Sequence, residues 1–164
     1  MTGRQPTRSM TTACHRSAVA DPTARPYAQD LDAERDGWYA FVDLTRSLTP
    51  EERHRPGYYS DPDWSLRDLV AHVGTWLAEA EIQLERLAAG TYDDVPVDVD
   101  VLNARFLEAM GDQAWDVCWV QLNAARTRML TEWFAQPAAN DKAAWCIRKS
   151  GSEHYREHLP RLCD

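Results

Sequence analysis

No run of about 18 consecutive apolar residues occurs in this chain, which excludes a membrane-spanning helix, and residues 1–27 lack the apolar core of a secretory signal. A soluble cytoplasmic protein with no membrane partner is the expectation. Cysteine is scarce and scattered: Cys14, Cys118, Cys146 and Cys163 show no paired spacing, so neither a zinc ribbon nor a disulfide framework is indicated. Positive charge is also short, with 18 Lys and Arg against 26 Asp and Glu and a formal net charge of -8. A binder of phosphate backbones draws its affinity from clustered Lys and Arg. The balance therefore predicts no nucleic-acid partner.

Helical or strand period is lacking in the first 27 residues, which carry Pro6, Pro22 and Pro26, four arginines and one aspartate. They read as a disordered tail, within which Met10 offers an alternative start. Setting aside those four arginines and one aspartate leaves 14 basic and 25 acidic side chains, about -11 for residues 28–164, which read as one domain.

From residue 28 the punctuation is helical. A first helix over roughly 29–47 places Leu31, Trp38, Phe41, Val42 and Thr45 on one face. A loop over 49–63 follows. Ser65 and Asp68 have capping-box spacing at the head of a helix that Gly90 can end. Its inward stripe is Leu69, His72, Val73, Trp76, Ala80, Leu84 and Leu87. After a loop over 91–98, VDVLNARFLEAM predicts a short helix with Leu102, Phe106 and Met110 inward, stopped at Gly111. A longer helix over about 112–135 aligns Trp115, Cys118, Trp119, Leu122, Ala125, Met129, Leu130 and Trp133. Residues 136–143 read as loop and AAWCIRK as extended or irregular; Ser150 with Glu153 is a second capping-box pattern, opening a last helix. Four main helices, an additional short one and no convincing strand give an all-α four-helix bundle.

The chemistry concentrates in three histidines. His154 and His158 stand four residues apart, a spacing that brings two imidazoles to one ion on a helix, although solvated surface histidines share it. His72 lies within an apolar stripe, where an unpaired imidazole would cost about 1–3 kcal/mol, so it requires a hydrogen-bond partner or a metal. Together the three make an open metal site in a bundle core. HYREH also matches the inverted zinc-peptidase pattern. That reading needs a further ligand well downstream, where six residues remain, and a sheet edge for an extended peptide; a peptidase is not expected. Trp76, one turn beyond His72, either walls the site or fills the core. Asn103 either turns its amide to a ligand, caps, or faces solvent. Arg148, with Lys149, either meets an anionic substrate or a polar thiol, or is solvated. Cys118 and Cys146 read as core fillers.

The segments DWSLRDLVAHVGTW, DVDVLNARF with LNAARTRMLTEWF, and SEHYREHLPRL together resemble the DinB-like family, which includes mycothiol-dependent maleylpyruvate isomerases and the bacillithiol and mycothiol S-transferases. The resemblance spans roughly residues 36–163. It implies a four-helix bundle with a crossed connection, with Trp64-Ser65 opening the second helix and His72, His154 and His158 as a facial metal triad. It further implies a thiol S-transferase or related detoxifying enzyme, in which a metal-bound thiolate or water attacks an electrophilic small molecule and a low-molecular-weight thiol is co-substrate. The isomerases carry a further C-terminal domain, so isomerase activity is not the expectation. Zinc is the first choice of divalent ion, with nickel, iron and copper also suited to imidazole. The alternative is a non-catalytic protein that binds or sequesters a small molecule. Free bundle faces are compatible with a homodimer.

Overall fold

Ser65 opens the longest helix with the predicted reciprocal cap: its backbone N–H donates to Asp68 Oδ2 at 2.9 Å and its Oγ accepts from the Asp68 N–H at 3.4 Å. The computed structural model describes residues 27–57, 63–138 and 140–162, so the predicted tail lies outside the described residues apart from Tyr27. In chain order the helices are α1 (Ala28–Ser47), α2 (Pro50–Arg53), α3 (Leu66–Ala89), α4 (Val99–Met110), α5 (Trp115–Ala135), α6 (Asp141–Ile147) and α7 (Glu153–Leu162); a π-helical turn, Arg148–Ser152, joins the last two. No named strand occurs among the described residues; one isolated antiparallel bridge pairs Pro56 with Ser65.

The bundle consists of α1, α3, α5 and the arm from α6 to α7, with α4 laid across α3. Its core includes Phe41, Leu66, Leu69, Val73, Leu77, Leu84, Leu122, Met129 and Ile147, each fully buried. Burying such side chains contributes about 1.5–3 kcal/mol apiece. The α3–α5 crossing is close because Gly74 has no side chain: a Cβ there would lie 3.2 Å from Leu122 Cα. Gly90 ends α3 in the left-handed region (φ 69°), as its position predicts. Cys118 and Cys146 are free and buried, as expected of core fillers.

Three expectations need correction. The stretch read as plain loop after Thr49 contains α2, with Pro50 at its first position and a Thr49–Glu52 capping box. AAWCIRK is helical, and the last arm starts at Asp141 under an Asn140 cap, whose Oδ1 accepts from Lys142 and Ala143 N–H groups at 2.8 and 3.2 Å. Ser150 caps nothing: it is buried inside the π turn, in the middle of a continuous helical arm. The asparagine ten residues earlier satisfies the orphan donors that a Ser150 cap was invoked for.

α4 buries none of its residues fully and is held from its end. Arg67 donates to the carbonyls of Met110 (2.6 Å), Gln113 (3.1 Å) and Gly111, capping the C-terminus of α4 with a cation. Among the described residues no helix is long and apolar enough to cross a membrane.

Candidate metal centre

α3 and α7 meet at three imidazoles. His72 sits two turns into α3, close enough to the Ser65 cap for its backbone position to be set by a fixed helix start. His154 and His158 occupy successive turns of α7 and are both buried, while His72 is partly buried at the bundle edge. Ring centroids are 4.9 Å apart for His72 and His154, 5.4 Å for His72 and His158, and 4.6 Å for His154 and His158. One nitrogen from each ring lies within 4.8 Å of the other two, and the His72 and His154 Nε2 atoms stand 3.1 Å apart.

This geometry fits a metal ion. Two imidazole nitrogens bound tetrahedrally at about 2.0–2.1 Å to one ion stand roughly 3.3 Å apart. The His72 and His154 Nε2 atoms face each other at about this spacing, where one ion could meet both. Their electrostatics agree. Burial pushes His72 down to about 3, with positive charge on His154 adding to the effect. Burial pushes His154 down to about 4, against the opposing pull of the nearby Ser150 carbonyl. Both rings are therefore neutral near pH 7, the protonation state a ligand requires.

The same shifts predict acid sensitivity. In the unfolded chain these rings titrate near 6.5, so below that pH the unfolded state holds more protons than the folded state. Metal-free protein should lose stability as pH falls from about 6.5 towards 4, by up to about 1.4 kcal/mol per ring per pH unit, less for the partly exposed His72. Urea midpoints measured from pH 7.5 to 4.5 check this, and His72→Leu should flatten the slope.

The opposite side of α7 is anchored by a buried polar cluster. Tyr155, between the two histidines, is fully buried; its hydroxyl donates to Glu34 Oε1 at 3.1 Å and its ring stacks on Phe41 at 5.8 Å. Arg126 from α5 donates to both Glu34 oxygens at 2.7 Å and lies 4.7 Å over the Trp38 ring. The π turn brings Gly151 against this cluster, where a Cβ would fall 3.0 Å from Glu34 Cγ. A π turn adds a residue to the helical cycle and so resets the phase of the helix beyond it. Here it lets Tyr155 face α1 while His154 and His158 face α3.

A small cleft, partly open to solvent and with room for about one water molecule, lies beside His72 between α3 and α4, lined by Trp64, His72, Asn103, Phe106, Leu107 and Met110 among others. Trp64 lies 4.8 Å from His72, ring centre to ring centre. Trp76 donates its indole N–H to Asn103 Oδ1 at 2.9 Å, packs edge-on against Phe106 and comes within 6.4 Å of His154. Trp76 and Asn103 thus stand at the edge of the site. Arg148 does not line the cleft: it pairs with Asp30 at 3.3 Å and reaches Glu153 at 4.0 Å, on the side facing α1. Lys149 is exposed and pairs with Glu153. The sequence reading missed Glu34, Arg126 and Tyr155. Glu34 nevertheless falls in the α1 stripe, three after Leu31 and four before Trp38, and a carboxylate in such a stripe signals a buried partner.

A family model described as the mycothiol maleylpyruvate isomerase N-terminal domain matches residues 34–161. No curated protein matches the chain in sequence. Among solved structures, an uncharacterised protein from Escherichia coli UTI89 is similar with a TM-score of 0.70 at 16% identity, over 85% of this chain and 92% of that one. The colibactin self-resistance protein ClbS, in complex with a double-stranded DNA, is similar with a TM-score of 0.69 at 15% identity, over 86% of this chain and 95% of that one. At these identities the likeness is one of fold. It corrects the expectation that nucleic acid is excluded as a partner: a protein of this fold has been solved with duplex DNA. The physical reason is that net charge sums over the whole surface, whereas a nucleic acid meets only the local field of the face it touches.

Proposed function

We propose, for a chain that belongs to the mycothiol maleylpyruvate isomerase N-terminal domain family, a DinB-like family, that His72, His154 and His158 hold a divalent cation, zinc first, at which a low-molecular-weight thiol is activated for transfer to an electrophilic small molecule. The observation that carries this reading is the three-histidine cluster itself, with no fourth His, Cys, Asp or Glu ligand grouped with it among the described residues. A closed structural zinc site has four protein ligands, whereas a catalytic one keeps a position open. A divalent ion bound there supplies Lewis acidity, lowering the pKa of a thiol or water that joins it.

The chain's own residues have separable roles in this reading. Three neutral imidazoles leave the charge of the cation undiminished. With pKa values near 3 and 4, His72 and His154 are ligands and not general bases near pH 7. Trp64 and Trp76 flank the site with apolar surface and limit water. Asn103, whose Oδ1 accepts from the Trp76 indole N–H, lies at the cleft wall. A cytoplasmic setting belongs to the proposal, since free thiols are kept reduced there.

A second reading, sequestration of a small molecule without turnover, draws support from the similarity in fold to a self-resistance protein and from the largely apolar cleft. Cobalt(II) separates the two. Protein reconstituted with cobalt and titrated with L-cysteine should develop a near-ultraviolet sulfur-to-cobalt charge-transfer band if an open position accepts a thiolate. A cobalt spectrum unmoved by thiol would overturn the transferase reading and leave sequestration.

A further inference from the structure

A thiol and an electrophile cannot both come in through the cleft beside His72 as it stands, because it has room for about one water molecule. Its two walls are not equally fixed. On the α3 side Ala71 is only 3% exposed, and Leu69, Val70 and Val73 around it are fully buried, so that wall is continuous with the core. The opposite wall consists of Asn103, Phe106, Leu107 and Met110, from a helix that buries none of its residues fully. Local opening falls on elements with few buried apolar contacts, which makes α4 the wall able to move.

What holds α4 is largely polar and sits at its ends. Arg67, on α3, donates to the carbonyls of Met110 at 2.6 Å, Gln113 at 3.1 Å and Gly111, and pairs with Asp68 at 2.6 Å. These are charge-assisted bonds from a mostly buried side chain, the stronger kind. At the other end residues 91–98 join α3 to α4 without regular structure; Lys142 lies over the Tyr92 ring and pairs with Asp94 at 2.6 Å. Asp94 is well exposed, and pairs of that sort hold weakly. Along the body of α4, Trp76 donates to Asn103 Oδ1 and meets Phe106 edge-on.

We infer that α4 is a lid over the metal site, latched by Arg67 and hinged on residues 91–98. Release of the carbonyls at Met110, Gly111 and Gln113 lets the C-terminal end of α4 lift, uncovering His72 and the inner sides of Phe106, Leu107 and Met110. Lids admit substrate when open and exclude water when shut. This rests on the transfer reading for the purpose of the motion but not for the motion itself.

Alkylation of a thiol placed under the lid is the test. Ala71→Cys puts a small side chain on the α3 wall of the cleft, while Cys146, free and buried in the core, reports opening of the whole bundle in the same molecule. The full-length variant as purified is treated with iodoacetamide, each site is followed by peptide mass spectrometry, and rates are taken relative to the urea-unfolded chain. The introduced thiol should react at least about tenfold faster than Cys146. Adding Arg67→Met should speed it about tenfold or more again and leave Cys146 within about twofold. Arg67→Lys keeps a charge beside Asp68 but offers one nitrogen to three carbonyls, so it should fall between; it decides the matter alone where Arg67→Met does not fold. An introduced thiol no faster than Cys146, or Arg67 variants that speed both thiols alike or neither, would overturn the lid. Metal content is measured on the same samples. The expected alkylation pattern in protein that takes up no metal keeps the lid and removes the transfer reading; about one ion per chain with an introduced thiol no faster than Cys146 does the reverse.

Discussion

His72→Ala and His158→Ala should each strip the protein of the roughly one divalent ion per chain expected of the wild type, lowering affinity by more than about 100-fold. Losing an outer-shell partner of a ligand already costs about 10- to 100-fold, and these substitutions remove ligands themselves. The two residues come from helices that meet only in the fold, so loss in both variants locates the ion at the α3–α7 junction. Elemental mass spectrometry on protein purified without a metal-affinity tag reads the outcome. Circular dichroism guards against unfolding, which is not expected of His72→Ala: an imidazole whose buried Nδ1 makes no hydrogen bond stabilises the metal-free chain little. Retention of a stoichiometric ion in both variants would remove the three-histidine site, and the transferase reading with it.

Arg126→Met should destabilise the protein by about 3–5 kcal/mol, because it leaves the Glu34 carboxylate, only 1% exposed, without its cation. For a chain of this length the fall in Tm is on the order of 10 °C. The triple variant Glu34→Leu, Arg126→Met, Tyr155→Phe removes every polar member of the cluster and should recover most of that loss, since buried ion pairs are commonly neutral against apolar residues of like volume. Tyr155→Phe is included because its hydroxyl would otherwise be left buried and unsatisfied. Thermal and urea unfolding of wild type, single and triple variants measure this. A loss of less than about 1 kcal/mol for Arg126→Met would mean that the pair does not hold α7 against α1 and α5. Tyr155 lies between the two α7 histidines, so a large loss should also weaken metal binding, a coupling that a double-mutant cycle can isolate.

Much of the local structure could be read from the chain because its signals are local. The Ser65–Asp68 box, the Gly90 stop, the 99–110 helix ended at Gly111 and the apolar stripes of α1, α3 and α5 each depend on residues within a turn or two of one another. The i, i+4 spacing of His154 and His158 belongs to the same class and holds in the structure. Where competing local signals met, the reading failed. Ser150 with Glu153 and Asn140 with the Asp141 turn are both cap patterns, and only the burial of Ala143, Ala144, Cys146 and Ile147 against the bundle decides for the second. The π turn left no mark in the periodicity, since five residues are too few to set a period.

By itself the sequence determined the longer helices, both ends of α3, the inward faces and the chemical types able to hold a metal. The tertiary structure decided what crosses the chain. It brought His72 to His154 over 82 positions, Glu34 to Arg126 over 92 and to Tyr155 over 121, and it turned Arg148 to Asp30, away from the cleft. It also fixed the amide of Asn103 through Trp76, 27 positions earlier. The physical reason is range. Capping and periodicity are satisfied by hydrogen bonds and contacts inside one helix, whereas the pairing of side chains from different helices depends on how whole faces pack, and a close approach such as Gly74 on Leu122 or a phase change such as the turn at Arg148–Ser152 alters every pairing beyond it.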